Sequence, residues 1–280
     1  MLENLPLSGA TSVAPYRYAA AVEYSGGAYH GWQKQCHDPV PCIQGEVEKA
    51  LSRVADHPVT VICAGRTDAG VSACYQVIHF DAQVQRPERA WVMGGNTYLP
   101  GDIALLWVKP VSEDFHARFS ARARRYRYII YSAAVKPAVL TKGITWTWKS
   151  LDEVKMQQAA RVLVGEHDFT SYRAVACQAK NPVRQVQHLQ VYRQGRLLII
   201  DIKANAFLHH MVRNIAGVLM KIGAGEAPVS WAQEVLDARD RRQGGVTAPP
   251  FGLYFVDVDY ADEFLLPKAE PGPFFLSPAD

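Results

Sequence analysis

The chain has little cysteine and none of the spacings that give cysteine a structural task. Cys36, Cys42, Cys63, Cys74 and Cys177 are an odd set of five, with no pair at Cys-x-x-Cys spacing. That pattern argues against a disulfide framework and against a zinc knuckle. Cys63 and Cys74 fall in strand-like runs and read as small core residues. Long apolar runs are missing too, as is an N-terminal basic region followed by an apolar core. A membrane is therefore not an expected partner, and the chain reads as cytoplasmic. Glycine-rich phosphate loops are absent, Gly94-Gly95-Asn96 being too short to cradle a phosphate. No metal or cofactor is expected. His209 and His210, read as helical, would point about 100° apart and so not share a ligand.

What is present begins with ordinary globular composition. Apolar residues make up 49% and charged residues 20% of 280 residues, enough for a large core in one or two domains. The net charge of +3 conceals a strong segregation. Arg118 to Lys221 carry 18 Lys and Arg against 5 Asp and Glu, and the remaining residues carry 12 against 22. A basic half of this kind suits a polyanion, with salt-sensitive attraction to phosphates; a solvated face with no partner is the lesser alternative.

Periodicity predicts a strand over 16–24, a helix over 44–55, strands over 59–64 and 75–81, a helix over 87–96 and a strand over 103–109. The pattern restarts near Phe115. It predicts a strand over 122–131, a helix over 151–163, and a hairpin of 186–192 with 197–203 turning at Gln194-Gly195-Arg196. A helix over 206–222 stops at Gly223 and Gly225. Ser230 and Gln233 suggest a capping box for a helix to 239, His167-Asp168 reads as a polar turn at a helix end, and a last strand covers 253–260. The mixture is α+β, with antiparallel sheets covered by helices on one side. The expected division is a flexible lead (1–14), an N-terminal domain (15–114), a C-terminal domain (115–262) and a tail (263–280).

One carboxylate stands out. Asp68 lies between two strand-like runs in Gly65-Arg66-Thr67-Asp68-Ala69-Gly70-Val71. The glycines permit a tight loop, and Arg66 can steady a negative charge or hold a phosphate. The residues alone support two readings of Asp68, an ionised nucleophile or base and an Asp that caps its own turn. Tyr126, alternating with Arg122, Arg124 and Tyr128 on one face of its strand, is likewise a stacking and proton-shuttling residue or plain core. Arg213 and Leu253 by themselves are an ordinary helix arginine and a core leucine.

The loop 65–71 resembles the signature of the tRNA pseudouridine synthase A family. Tyr29-His30-Gly31-Trp32-Gln33, Phe115-His116-Ala117-Arg118-Phe119-Ser120-Ala121 through Tyr126-Arg127-Tyr128, and Leu163 to Thr170 are similar to further family blocks. So are Asn181-Pro182-Val183-Arg184, Phe207 to Asn214 and Pro250 to Tyr254. Ser72 departs from the pattern, which usually has His there. The resemblance implies two similar α/β halves whose sheets join around a cleft, and an isomerase converting uridine to pseudouridine at positions 38, 39 and 40 of the tRNA anticodon arm. It implies no cofactor, a homodimer and tRNA as partner. It also implies Asp68 as nucleophile, Arg213 as its paired cation, and Tyr126 and Leu253 against the target base. Arg66 is expected beside an everted nucleotide. Arg118, Arg122, Arg124, Lys180 and Arg184 are expected on the RNA backbone. A glycoside hydrolase, the main enzymatic rival, would need a second carboxylate, and none stands out.

Overall fold

The computed structural model describes residues 16–34, 40–268 and 270–276. The expected lead at 1–14, Cys36 and the last residues of the expected tail lie outside the described residues. The first half comprises β1 (Tyr16–Tyr24), α1 (Ile43–Ala55), β2 (Val61–Cys63), β3 (Ser72–Ala82), α2 (Glu88–Tyr98) and β4 (Ile103–Pro110). The second comprises β5 (Ala123–Ser132), β6 (Thr145–Thr147), α3 (Glu153–Ala160), β7 (Gly165–Asp168), β8 (Val183–Gln194), β9 (Leu197–Ala204), α4 (Met211–Gly223), α5 (Trp231–Ala238) and β10 (Leu253–Asp259).

All ten strands among the described residues belong to one sheet, ordered β4-β1-β3-β10-β5-β9-β8-β7, with β2 added on β3 and β6 on β5. The same unit occurs twice along it. β1 lies between antiparallel neighbours β4 and β3, and β5 lies between antiparallel neighbours β10 and β9. The two units meet where β10 runs parallel to β3, Tyr254 facing Ser72 and Phe255 facing Ala73. The last strand of the chain thus returns to the middle of the sheet and closes the fold non-locally.

Alternation assigns the two faces. Tyr126, Tyr128 and Ile130 of β5 share a core with Met156 of α3 and Ile215 and Leu219 of α4. Ile129, one position out of phase, packs with Ile199, Val256 and Leu276 on the other face. That second face also holds Asp201, fully buried, between the guanidinium groups of Arg125 at 2.6 Å and Arg127 at 2.8 Å. Arg127 further donates to the carbonyls of Pro271 and Gly272, at 2.6 and 2.9 Å, tying the end of the described chain across the sheet.

Four local expectations differ from the structure. α4 starts at Met211, not near residue 206, because His210 takes a left-handed conformation (φ 61°) that ends the helix on its N-terminal side. α3 stops at Ala160 and tightens into a 3₁₀ turn over Arg161–Leu163. His167 and Asp168 belong to edge strand β7, paired with Arg184 and Val183 of β8. Ser230 forms no capping box, since its hydroxyl donates to Glu234 at 2.8 Å instead of receiving a backbone N–H. β6 was not foreseen; three residues carry too little pattern to register.

Candidate active site

The loop between β2 and β3 is fastened from several sides. Its Thr67 hydroxyl meets the buried Tyr24 hydroxyl at 2.8 Å, and the Thr67 carbonyl accepts from Trp32 N–H at 3.1 Å. Gly70 donates to the Tyr29 carbonyl at 3.3 Å, and Gln76 of β3 brackets Gly65, which donates to its Oε1 at 3.2 Å. Two glycines are required by geometry. Gly70 sits at φ 79°, and Gly31 at φ 92° packs so closely that a Cβ would stand 2.7 Å from the Thr67 carbonyl oxygen. The segment 29–33 is thus a backstop for the loop. Ser72 is buried and its Oγ accepts the Gly26 N–H at 3.1 Å.

Asp68 emerges from this loop with a quarter of its side chain exposed. Its Oδ2 lies 3.2 Å from Nη1 of Arg213 on the first turn of α4. Arg213 is itself clamped, its Nε donating to the Ala248 carbonyl at 2.8 Å. One guanidinium therefore spans the two halves and joins the carboxylate by a charge-assisted hydrogen bond.

Asp68 has two further neighbours that periodicity does not place near it. His210 Nε2 stands 3.3 Å from Oδ2, and His209 Nε2 stands 3.4 Å from Oδ1. His209 and His210 do not diverge as helical neighbours would, because both precede α4 and their rings lie 4.0 Å apart, converging on Asp68. Burial holds the His210 pKa below its usual value, Arg213 and His209 adding to the effect and Asp68 opposing it. Asp68, His209 and His210 present three ligand atoms within 4.8 Å of one another. Arg213 already occupies that carboxylate, and its charge would repel a metal ion there.

Tyr126 of β5 is buried, its ring 5.0 Å from that of Phe207 and 4.8 Å from that of Phe255. Burial, reinforced by the Asp68 charge, pushes its hydroxyl far up in pKa, so it stays protonated. Leu253, at the start of β10, is buried nearby. Asp68, Arg213, Tyr126, Leu253 and exposed Arg66 all line one cleft of about 1100 Å³.

The expected basic residues divide into three groups. Arg118 is exposed on the cleft wall, and Arg122 and Lys180 are exposed but do not line it. Arg184 lines the cleft with Nη1 donating to Asn181 and Val183 carbonyls at 2.9 and 2.6 Å. Arg124 lines the cleft as well and is bonded within the protein. Its guanidinium is spent on the carbonyls of Ala64, Ala121, Asn205 and Arg118, between 2.6 and 3.4 Å. It ties β2, the segment before β5 and the segment after β9 into a wall, and burial lowers its pKa.

Fold and site together define a class: a mixed α+β protein presenting a single cation-paired carboxylate, beside an aromatic ring, in a cleft lined by arginines. Sequence comparison makes the assignment particular. The profile described as tRNA pseudouridine synthase matches residues 20–120 and 159–261. A tRNA pseudouridine synthase A from Pseudomonas aeruginosa is 57% identical over 279 residues, 99% of this chain and 98% of that one. Its counterpart from Coxiella burnetii is 57% identical over 260 residues, 93% of this chain and 99% of that one. The one from Salmonella typhimurium is 54% identical over 271 residues, 97% of this chain and all of that one. The chain belongs to the tRNA pseudouridine synthase family.

Proposed function

We propose that this protein isomerises uridine to pseudouridine at positions 38, 39 and 40 of the tRNA anticodon arm, with Asp68 as nucleophile and no cofactor. The reaction breaks the bond from ribose C1′ to uracil N1, turns the base and rejoins C1′ to C5. The proton lost from C5 is balanced by one gained at N1, so nothing is oxidised or reduced. A carboxylate suits this sequence because it can form a covalent bond and later leave. The pairing of Asp68 with Arg213 at 3.2 Å is the observation that carries the reading. Arg213 pairs with the carboxylate and holds it in place, Tyr126 and Leu253 bound the space for the uracil, and Arg66 takes the phosphate or the vacated stack of the everted nucleotide.

The exposed Arg118, Arg122 and Lys180 hold the RNA backbone together with Arg184, whereas Arg124 shapes the wall. Residues 15–114 and 115–262 act as the two sides of the cleft, and the family resemblance carries the expectation of a homodimer. The test is incubation with unmodified tRNA followed by chemical mapping of pseudouridine at single-nucleotide resolution. Product at 38, 39 and 40 supports the reading; product elsewhere overturns the site assignment, and none overturns the function.

A further inference from the structure

We propose that Phe119 is a stacking platform for a nucleobase of the bound RNA, the outer end of a column of rings that begins inside the protein. The inference rests on the tRNA reading above and assigns a subsite within it. Phe119 is 77% exposed, although it lines the same cleft as Asp68. Leaving a phenylalanine in water forgoes the favourable transfer that buries most of them.

The ring is exposed yet rigidly supported. His79 is buried in β3, with His116 behind Phe119: the His79 and His116 centroids are 4.6 Å apart, and those of His116 and Phe119 are 4.3 Å apart with planes inclined by 30°. The backbone is fixed to the same column. His79 Nδ1 accepts the Ala117 N–H at 3.1 Å, and His116 Nδ1 accepts the N–H groups of Arg118 and Phe119 at 3.2 Å each. The turn is closed further by Ser120, whose N–H reaches the His116 carbonyl at 2.9 Å. Little conformational freedom remains to be lost when something stacks on the outer ring.

The occupant follows from chemistry. The Arg118 guanidinium lies 5.7 Å from the Phe119 centroid, and exposed Arg66 lines the same cleft. An aromatic face with the Arg118 guanidinium beside it matches a base attached to its phosphate, since every base offers a π-face to the ring while its phosphate takes the cation. Apolar peptide surface would leave that charge unpaired. Tyr126 and Leu253 border the carboxylate, so Phe119 takes a nucleotide beside the reacting uridine. Such stacking tolerates any base, which suits an enzyme serving adjacent positions.

The experiment measures affinity for unmodified tRNA in an Asp68→Asn background, where no turnover intervenes. Phe119→Ala weakens binding on the order of 5- to 100-fold, and Phe119→Trp stays within about threefold of the parent. Phe119→Leu keeps apolar area without a π-face and falls with Ala. The exposed Phe274, away from the cleft, serves as control, and Phe274→Ala binds as the parent does. Phe119→Ala or Phe119→Leu binding as tightly as the parent overturns the platform alone. A parent that binds no tRNA overturns the functional reading and the platform with it.

Discussion

At the residue scale the proposed reaction turns on the carboxylate of Asp68. Asp68→Asn keeps the shape and removes the charge, so pseudouridine formation falls to background while tRNA affinity is retained; gel-shift and mapping assays on one preparation check both. Arg213 contributes in two directions at once, to the Ala248 carbonyl and to Asp68. Losing a charge-assisted hydrogen bond of this kind costs about 1.5–3 kcal/mol, so Arg213→Ala slows single-turnover conversion roughly 10- to 150-fold. Arg213→Lys does not restore the rate, because one ammonium cannot serve both partners. Tyr126→Phe leaves stacking intact and removes the protonated hydroxyl, so a drop in single-turnover rate at unchanged affinity assigns it to proton transfer.

At the element scale, the strands hold the site in place through contacts remote from it. Asp201 of β9 pairs with two arginines of β5 inside the sheet. Removing one member of such a buried group leaves charge uncompensated, and Asp201→Ala costs about 3–5 kcal/mol by denaturant unfolding. The 29–33 backstop is tested by Gly31→Ala, which must accommodate a Cβ against Thr67 at a positive φ. It lowers stability by about 1–3 kcal/mol and slows conversion more than a stability loss alone explains, since the displaced loop carries Asp68. Equal thermal midpoints for Gly31→Ala and the parent would refute the close-packing argument.

For the whole molecule, charge and pH act through the same architecture. Basic residues concentrate between Arg118 and Lys221, and tRNA affinity falls steeply as salt rises from 50 to 200 mM. His79 links β3 to the turn that opens the second half, accepting a backbone N–H that only its unprotonated ring can accept. Burial, with His116 and Arg17 adding, lowers its pKa from the usual 6.5 to about 4. The unfolded chain thus binds a proton that the fold refuses, and stability is complete above about pH 6.5 and lost as pH falls towards 4. Thermal midpoints across that window show the decline, and His79→Gln shows a shallower one.

How much of this was legible differs by level. Hydrophobic alternation and turn residues in single segments predicted twelve of the fifteen described strands and α-helices to within three residues, because those signals are local. The loop bearing Asp68 and the blocks around Tyr126, Arg213 and Leu253 were legible as motifs. Where Arg124 spends its guanidinium was not, because its four carbonyl partners come from Ala64, Ala121, Asn205 and Arg118, brought together only by the sheet. The convergence of His209 and His210 on Asp68 was hidden by a helix start read too early, and a left-handed His210 is not encoded in periodicity. Composition and spacing by themselves determined a mixed fold, a basic half and the residue types available for chemistry. Only the tertiary structure decided which of them meet, because β10 returns past more than a hundred residues to join β3, and that non-local pairing brings the carboxylate of one half within reach of the guanidinium of the other.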